Sequence, residues 1–263
     1  MRNFVIYLIL FLFFSNHSHS QINGLKLIGN EKLNSGFFIG RDTYGAVYSI
    51  QNNEFRKQDT QQQANYKNIT LGNLHEVDLQ NPLQIVLFYK EMNSVVLLDR
   101  QLNETYRFNF SETNPELLPQ QVRLASQNRL WIFDLTSQKL GLYDYQKKVF
   151  RPITVAFEHP IVYAQSDYNY FYWMDNKYDL FVSNLFGKIN YLGKVPEHDA
   201  LQIVSSKEIL LKKGNVLSLF NLEKETSQII PVKEKSFKNF YYSEQNLSIF
   251  TDNEIRTYKI TLP

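Results

Sequence analysis

The chain has 263 residues, 43% hydrophobic and 21% charged, which is enough apolar mass for one large domain around a core and too much for a disordered chain. Its 28 basic and 26 acidic residues leave a formal charge of +2, far from the excess that phosphate neutralisation on nucleic acid or adhesion to an anionic membrane favours. With Cys 0, disulfides, thiol catalysis, cysteine metal sites and a lipid-modified N-terminal cysteine are excluded.

The first element is an export segment. Arg2 supplies a positive charge, and Phe4 to Phe14 form an unbroken apolar run too short to cross a hydrocarbon core as a helix. Ser18 and Ser20 put small side chains where a signal peptidase reads them, so residues 1–20 are expected to be a signal peptide and residues 21–263 the mature domain, starting at Gln21. An uncleaved anchor is the alternative. No later window approaches the roughly 18 apolar residues of a spanning helix, and the expected location is periplasmic or secreted and cell-surface associated.

Beyond this segment the chain is periodic. Val47 to Ile50, Ile85 to Phe88, Leu130 to Phe133, Tyr170 to Trp173, Ile209 to Leu211 and Leu247 to Phe250 are apolar or alternating runs about 40 residues apart, the period of four-stranded propeller blades. Each is followed, across a short turn such as Asn52-Asn53, Met92-Asn93 or Gly214-Asn215, by a second run, so the hairpin is the repeating unit. In the third unit all four strands are legible, as Gln121 to Leu124, Leu130 to Leu135, Leu140 to Tyr145 and Val149 to Val155. The last unit has only three before the chain stops, and Leu25 to Ile28 offers the missing outer strand, so the two ends are expected to pair and close the ring. In the first unit, Gln58 to Tyr66, with Gln61-Gln62-Gln63, is expected to be a polar loop.

Leu130 to Gln146 (LWIFDLTSQKLGLYDYQ) resembles a blade of the NHL, YVTN and quinoprotein-type β-propellers, and Ile85 to Glu104 repeats the pattern. The resemblance implies an all-β fold, a single propeller of about six four-stranded blades spanning Leu25 to Pro263. A β-sandwich or barrel is the competing architecture.

No GxSxG, HExxH, P-loop, GxGxxG or EF-hand loop occurs, and the expectation leans away from an enzyme, with no cofactor. One constellation is spatial: His75-Glu76, Glu158-His159 and Glu197-His198-Asp199 all fall where an outer strand leads to the next inner strand, on one face around the channel mouth. Imidazole beside carboxylate suits a metal ligand with its orienting partner or an acid–base pair, and equally suits solvated loop residues; whether a metal binds is left open. Among the aromatics, Tyr170 to Trp173 are expected in the core, with Tyr163 and Tyr168 as the exposed remainder available for binding. The leading expectation is a non-enzymatic, protein-binding propeller of the bacterial cell envelope, an accessory subunit of an outer-membrane assembly or secretion complex. In this the chain resembles small exported propellers that act as accessory subunits of such machines, the plug subunits of type 9 translocons being the family-level analogy. The alternative is a secreted carbohydrate-active enzyme or lectin using the channel mouth.

Overall fold

The computed structural model describes residues 25–32, 36–59 and 62–262. The expected signal peptide and its cleavage point lie outside them. The first strand, β1 (Lys26–Lys32), is followed by five sequential four-stranded antiparallel sheets. Blade 1 is β2 (Phe37–Arg41), β3 (Val47–Gln51), β4 (Glu54–Gln58) and β5 (Gln63–Tyr66); blade 2 is β6 (Glu76–Asp78), β7 (Ile85–Tyr89), β8 (Ser94–Leu98) and β9 (Glu104–Asn109). Blade 3 is β10 (Pro119–Ala125), β11 (Arg129–Asp134), β12 (Lys139–Asp144) and β13 (Val149–Pro152); blade 4 is β14 (Ile161–Ser166), β15 (Tyr170–Asp175), β16 (Asp179–Asn184) and β17 (Ile189–Lys194). Blade 5 is β18 (Ala200–Ile203), β19 (Glu208–Lys213), β20 (Val216–Asn221) and β21 (Thr226–Ile230). The sixth sheet joins β22 (Asn239–Ser243), β23 (Asn246–Phe250) and β24 (Glu254–Lys259) to β1, in the order β1-β24-β23-β22. Lys26 pairs with Lys259 and Lys32 with Glu254, so the ends of the chain close the ring as expected.

Turn chemistry fixes the hairpins. Asn52 and Asn53 both adopt positive φ, at 51° and 60°, the conformation a two-residue hairpin needs and asparagine tolerates. At the turns from third to fourth strand, Asp99, Asp144, Asn184 and Asn221 accept backbone N–H groups from two to four residues on, satisfying donors the ladder leaves free. One expectation is corrected here: Gln58 to Tyr66 is not a continuous loop, because Gln63–Tyr66 forms β5, pairing Phe55 with Tyr66 and Gln58 with Gln63. An outermost strand can be polar because its ladder bonds, not burial, hold it in the sheet.

Buried side chains form six clusters, one at each interface between blades. Between blades 3 and 4, Trp131, Phe133, Phe171 and Trp173 are buried, which accounts for part of the aromatic run, while Tyr170 is 45% exposed. The closing seam between blades 6 and 1 has the smallest cluster, Phe38, Val47, Phe250 and Ile255. Farther out its walls are polar: a cleft of about 950 Å³ is lined by Glu31 and Lys32 on one side and Ser49, Glu54, Arg56 and Asn65 on the other. Arg41 ties the seam by donating to Glu31 at 2.7 Å and to the Thr257 hydroxyl at 3.2 Å. Among the described residues no helix is long and apolar enough to cross a membrane.

Candidate functional site in the central channel

The innermost strands β2, β6, β10, β14, β18 and β22 each leave one edge facing the axis, and the backbone groups on those edges need partners. One register position per strand faces that edge, and at three of the six its side chain reaches the next blade. Asp78, Arg123, Gln165, Gln202 and Tyr241 pair respectively with Val86, Trp131, Tyr172, Leu210 and Ser248 on the second strands, and Gly40 pairs with Tyr48. Asp78 Oδ2 accepts from Leu124 N of the next blade at 2.7 Å. Gln165 holds Ile203 with both ends of its amide, accepting from N at 2.9 Å and donating to O at 2.8 Å. Gln202 does the same for Tyr242, at 2.7 and 2.6 Å. Gln80, with its amide turned to donate to Ser166 O at 2.8 Å and accept from Tyr168 N at 2.6 Å, caps blade 4. The side chains form a girdle that stitches neighbouring blades.

Gly40, Tyr241 and Arg123 make no such cap. Tyr241 lies against Gly40, where a Cβ would stand 3.1 Å from its ring, so glycine leaves the space the phenol occupies. Burial, followed by the charges of Asp78 and Asp42, pushes the Tyr241 hydroxyl up to about 12. Arg123 forms an ion pair with Glu76 of the neighbouring blade 2, which also accepts from Val122 N at 3.4 Å. Burial pushes the Glu76 carboxyl above its ordinary range against the downward pull of Arg123. Around these groups lies a chamber of about 380 Å³ reached by all six inner strands.

The residues expected to form a site are dispersed. His75, His159 and His198 do precede the inner strands of blades 2, 4 and 5, but each has its own local surroundings. His75 meets Phe88 edge-on, with ring centres 6.1 Å apart, and burial is the main cause that lowers its pKa below the usual histidine range. His198 has Nδ1 2.7 Å from Pro196 O and its ring edge-on to Tyr178. Glu158 is exposed and His159 half-buried. Glu197 pairs with Lys213 at 2.6 Å, while Asp199 accepts from Gly214 N at 2.7 Å. Among the described residues no group of three or more histidine, aspartate and glutamate side chains could hold a metal ion. Glu76 belongs to the channel. So does Tyr163, which lines the chamber and whose hydroxyl donates to Gln165 Oε1 at 2.6 Å. Tyr168 is 40% exposed on the hairpin between β14 and β15, at the other end of the channel from the histidines.

Asp78, Arg123, Gln165, Gln202 and Tyr241 escaped the sequence reading. Their signal is a polar or phenolic residue between two apolar ones, as in Val77-Asp78-Leu79, Val122-Arg123-Leu124 and Leu201-Gln202-Ile203, at about 40-residue spacing. The rim carries a second feature. Ile69, Met92, Leu118, Val155 and Val216 are exposed on the junctions into inner strands and the hairpins between second and third strands, which gather at one end of the ring. Ile69 and Val155 are 83% and 75% exposed.

No described protein family and no curated protein matches the chain. Solved structures do. A streptogramin B lyase is 12% identical, with 89% of this chain and 98% of that one covered and a TM-score of 0.55. The Cps50 (Swd1) β-propeller domain of Myceliophteria thermophila is 6% identical over 90% of this chain and 100% of that one, with a TM-score of 0.58. PorZ, a surface component of the type-IX secretion system of Porphyromonas gingivalis, is 13% identical over 84% of this chain and 32% of that one, with a TM-score of 0.50. At such identities the likeness concerns architecture alone, and with the sheet order it shows a six-bladed β-propeller.

Proposed function

We propose that the chain is an exported, non-enzymatic, protein-binding propeller of the cell envelope that serves as an accessory subunit of an outer-membrane assembly or secretion complex. The observation that carries this reading is the rim: exposed apolar side chains from several blades stand on rigid turns at one end of a ring. Scattered apolar residues are ordinary on a surface, but on loops held by a stiff scaffold they suit a partner's apolar surface. The channel supports the same reading, because several of its polar side chains are spent on holding neighbouring strands. The fold likeness to PorZ fits a secretion role by analogy only.

The test is affinity capture from detergent-solubilised envelope of the native host, comparing the wild-type chain with Ile69→Asp and Val155→Asp. The expected outcome is a defined partner recovered by wild type and lost with either variant, both of which fold. Equal recovery by all three would show that the rim is not the docking face. A second reading, carbohydrate binding, draws on Tyr168 and Tyr170, 40% and 45% exposed. A glycan array on which Tyr168→Ala loses a signal seen with wild type would favour it.

A further inference from the structure

The chamber in the channel, about 380 Å³, is within the range of roughly 300–1,000 Å³ common for small-ligand sites. Many of its acceptors are already engaged. Asp78 takes Leu124 N on one oxygen and Gln80 N on the other; Glu76 takes Arg123 and Val122 N; the Gln165 and Gln202 oxygens take backbone N–H groups. Its donors are not. Arg123 is enclosed in the channel with Nε buried and without a hydrogen-bond partner, and only its Nη2 serves Glu76. The Tyr241 hydroxyl, held in place by the packing of its ring on Gly40 and Phe38, donates to no described residue.

Unused donors in a confined space, one of them on a guanidinium, select an acceptor-rich and preferably anionic group. Three carboxylates stand near: Glu76 is paired with Arg123, both oxygens of Asp78 accept backbone N–H groups, and Asp167 accepts from Asn169 N and Tyr170 N, so their lone pairs are engaged and do not compete for the free donors. Apolar walls from Ile39, Val77 and Leu201 leave room for a short carbon skeleton beside the acid. We infer that the chamber is a carboxylate-binding site in which Arg123 and Tyr241 donate to the acid. The carboxylate belongs either to a free small organic acid or to the end of a docked polypeptide.

Calorimetric titration of the full chain distinguishes these sources. The probes are succinate against succinamide, and an acetylated tetrapeptide with a free C-terminal carboxylate against the same peptide amidated. We expect at least one acid to bind while its amide does not. Binding of succinate assigns a free acid, and binding of the peptide acid alone assigns a polypeptide terminus. Tyr241→Phe keeps the ring on Gly40 and removes only the hydroxyl, so it should fold as wild type and bind the acid about tenfold or more weakly. Arg123→Gln should abolish binding, with thermal unfolding as the control for folding. Acids binding no better than amides, no binding by any probe, or an unchanged affinity in Tyr241→Phe would each overturn the assignment. Capture of an envelope partner through the rim is a separate measurement, so either result can fail without the other.

Discussion

At the scale of single residues, the channel shows how much depends on pairing a buried charge. Arg123 and Glu76 are both largely enclosed, and removing one partner strands the other. Glu76→Gln should therefore cost about 3–5 kcal/mol, whereas Glu76→Gln combined with Arg123→Met should recover much of that loss, since a vacated pair is cheaper than half of one. Urea unfolding of the two single variants and the double variant measures the difference. Asp144 acts oppositely with pH. The backbone N–H groups of Lys147 and Gln146, with the Lys147 ammonium, hold its carboxyl below the ordinary aspartate range. A carboxyl whose folded pKa is depressed stabilises the fold above its unfolded pKa and loses that contribution as pH falls through the folded value. The melting temperature should therefore decline below about pH 4, and less steeply in Asp144→Asn than in wild type.

At the scale of elements, strands with an apolar face were legible and strands without one were not. The hairpin runs such as Leu130 to Phe133 announce themselves because neighbouring blades bury both faces of the sheet, while β5, Gln63–Tyr66, carries little apolar signal and reads as loop in the sequence. The girdle was missed for a related reason. Asp78 and Gln165 look like single polar interruptions in their strands, and their role exists only across a blade boundary, between residues far apart in sequence. His75, His159 and His198 each stand before an inner strand, yet spacing says nothing about convergence around a wide ring. β1 is the element whose role was most explicit, and it makes a firm prediction. Deleting Lys26–Lys32 exposes the edge of β24, so the shortened chain should aggregate more readily. A loss of about 3 kcal/mol or more would lower the melting temperature by roughly 6–12 °C in a domain of this size.

At the scale of the whole molecule, the seam between blades 6 and 1 has the smallest apolar cluster, and blade 6 beside it is the one built from both β1 and β24. Pairing of β1 inside blade 6 fastens the chain that leads into blade 1, and so adds to the sparse packing of that interface. A circular permutant tests this. Because Lys26 stands beside Lys259, a short linker can join the two ends, and reopening the chain between Val232 and Lys235 leaves every blade built from consecutive strands with no blade shared between the ends. Such a ring should unfold at lower urea than the parent and with a shallower transition, while a permutant reopened within the β19–β20 turn, which restores a shared blade, should match the parent. The same pairing also sets a timetable. Among the described strands β1 is made before the five blades that precede β24, so while those blades are made the opening strand has no mate and Leu25, buried in the closed ring, is uncovered. The intervening blades can assemble from neighbouring strands in that interval, which makes closure of the circle a later and slower event than blade assembly and gives a waiting chaperone a defined sequence to hold.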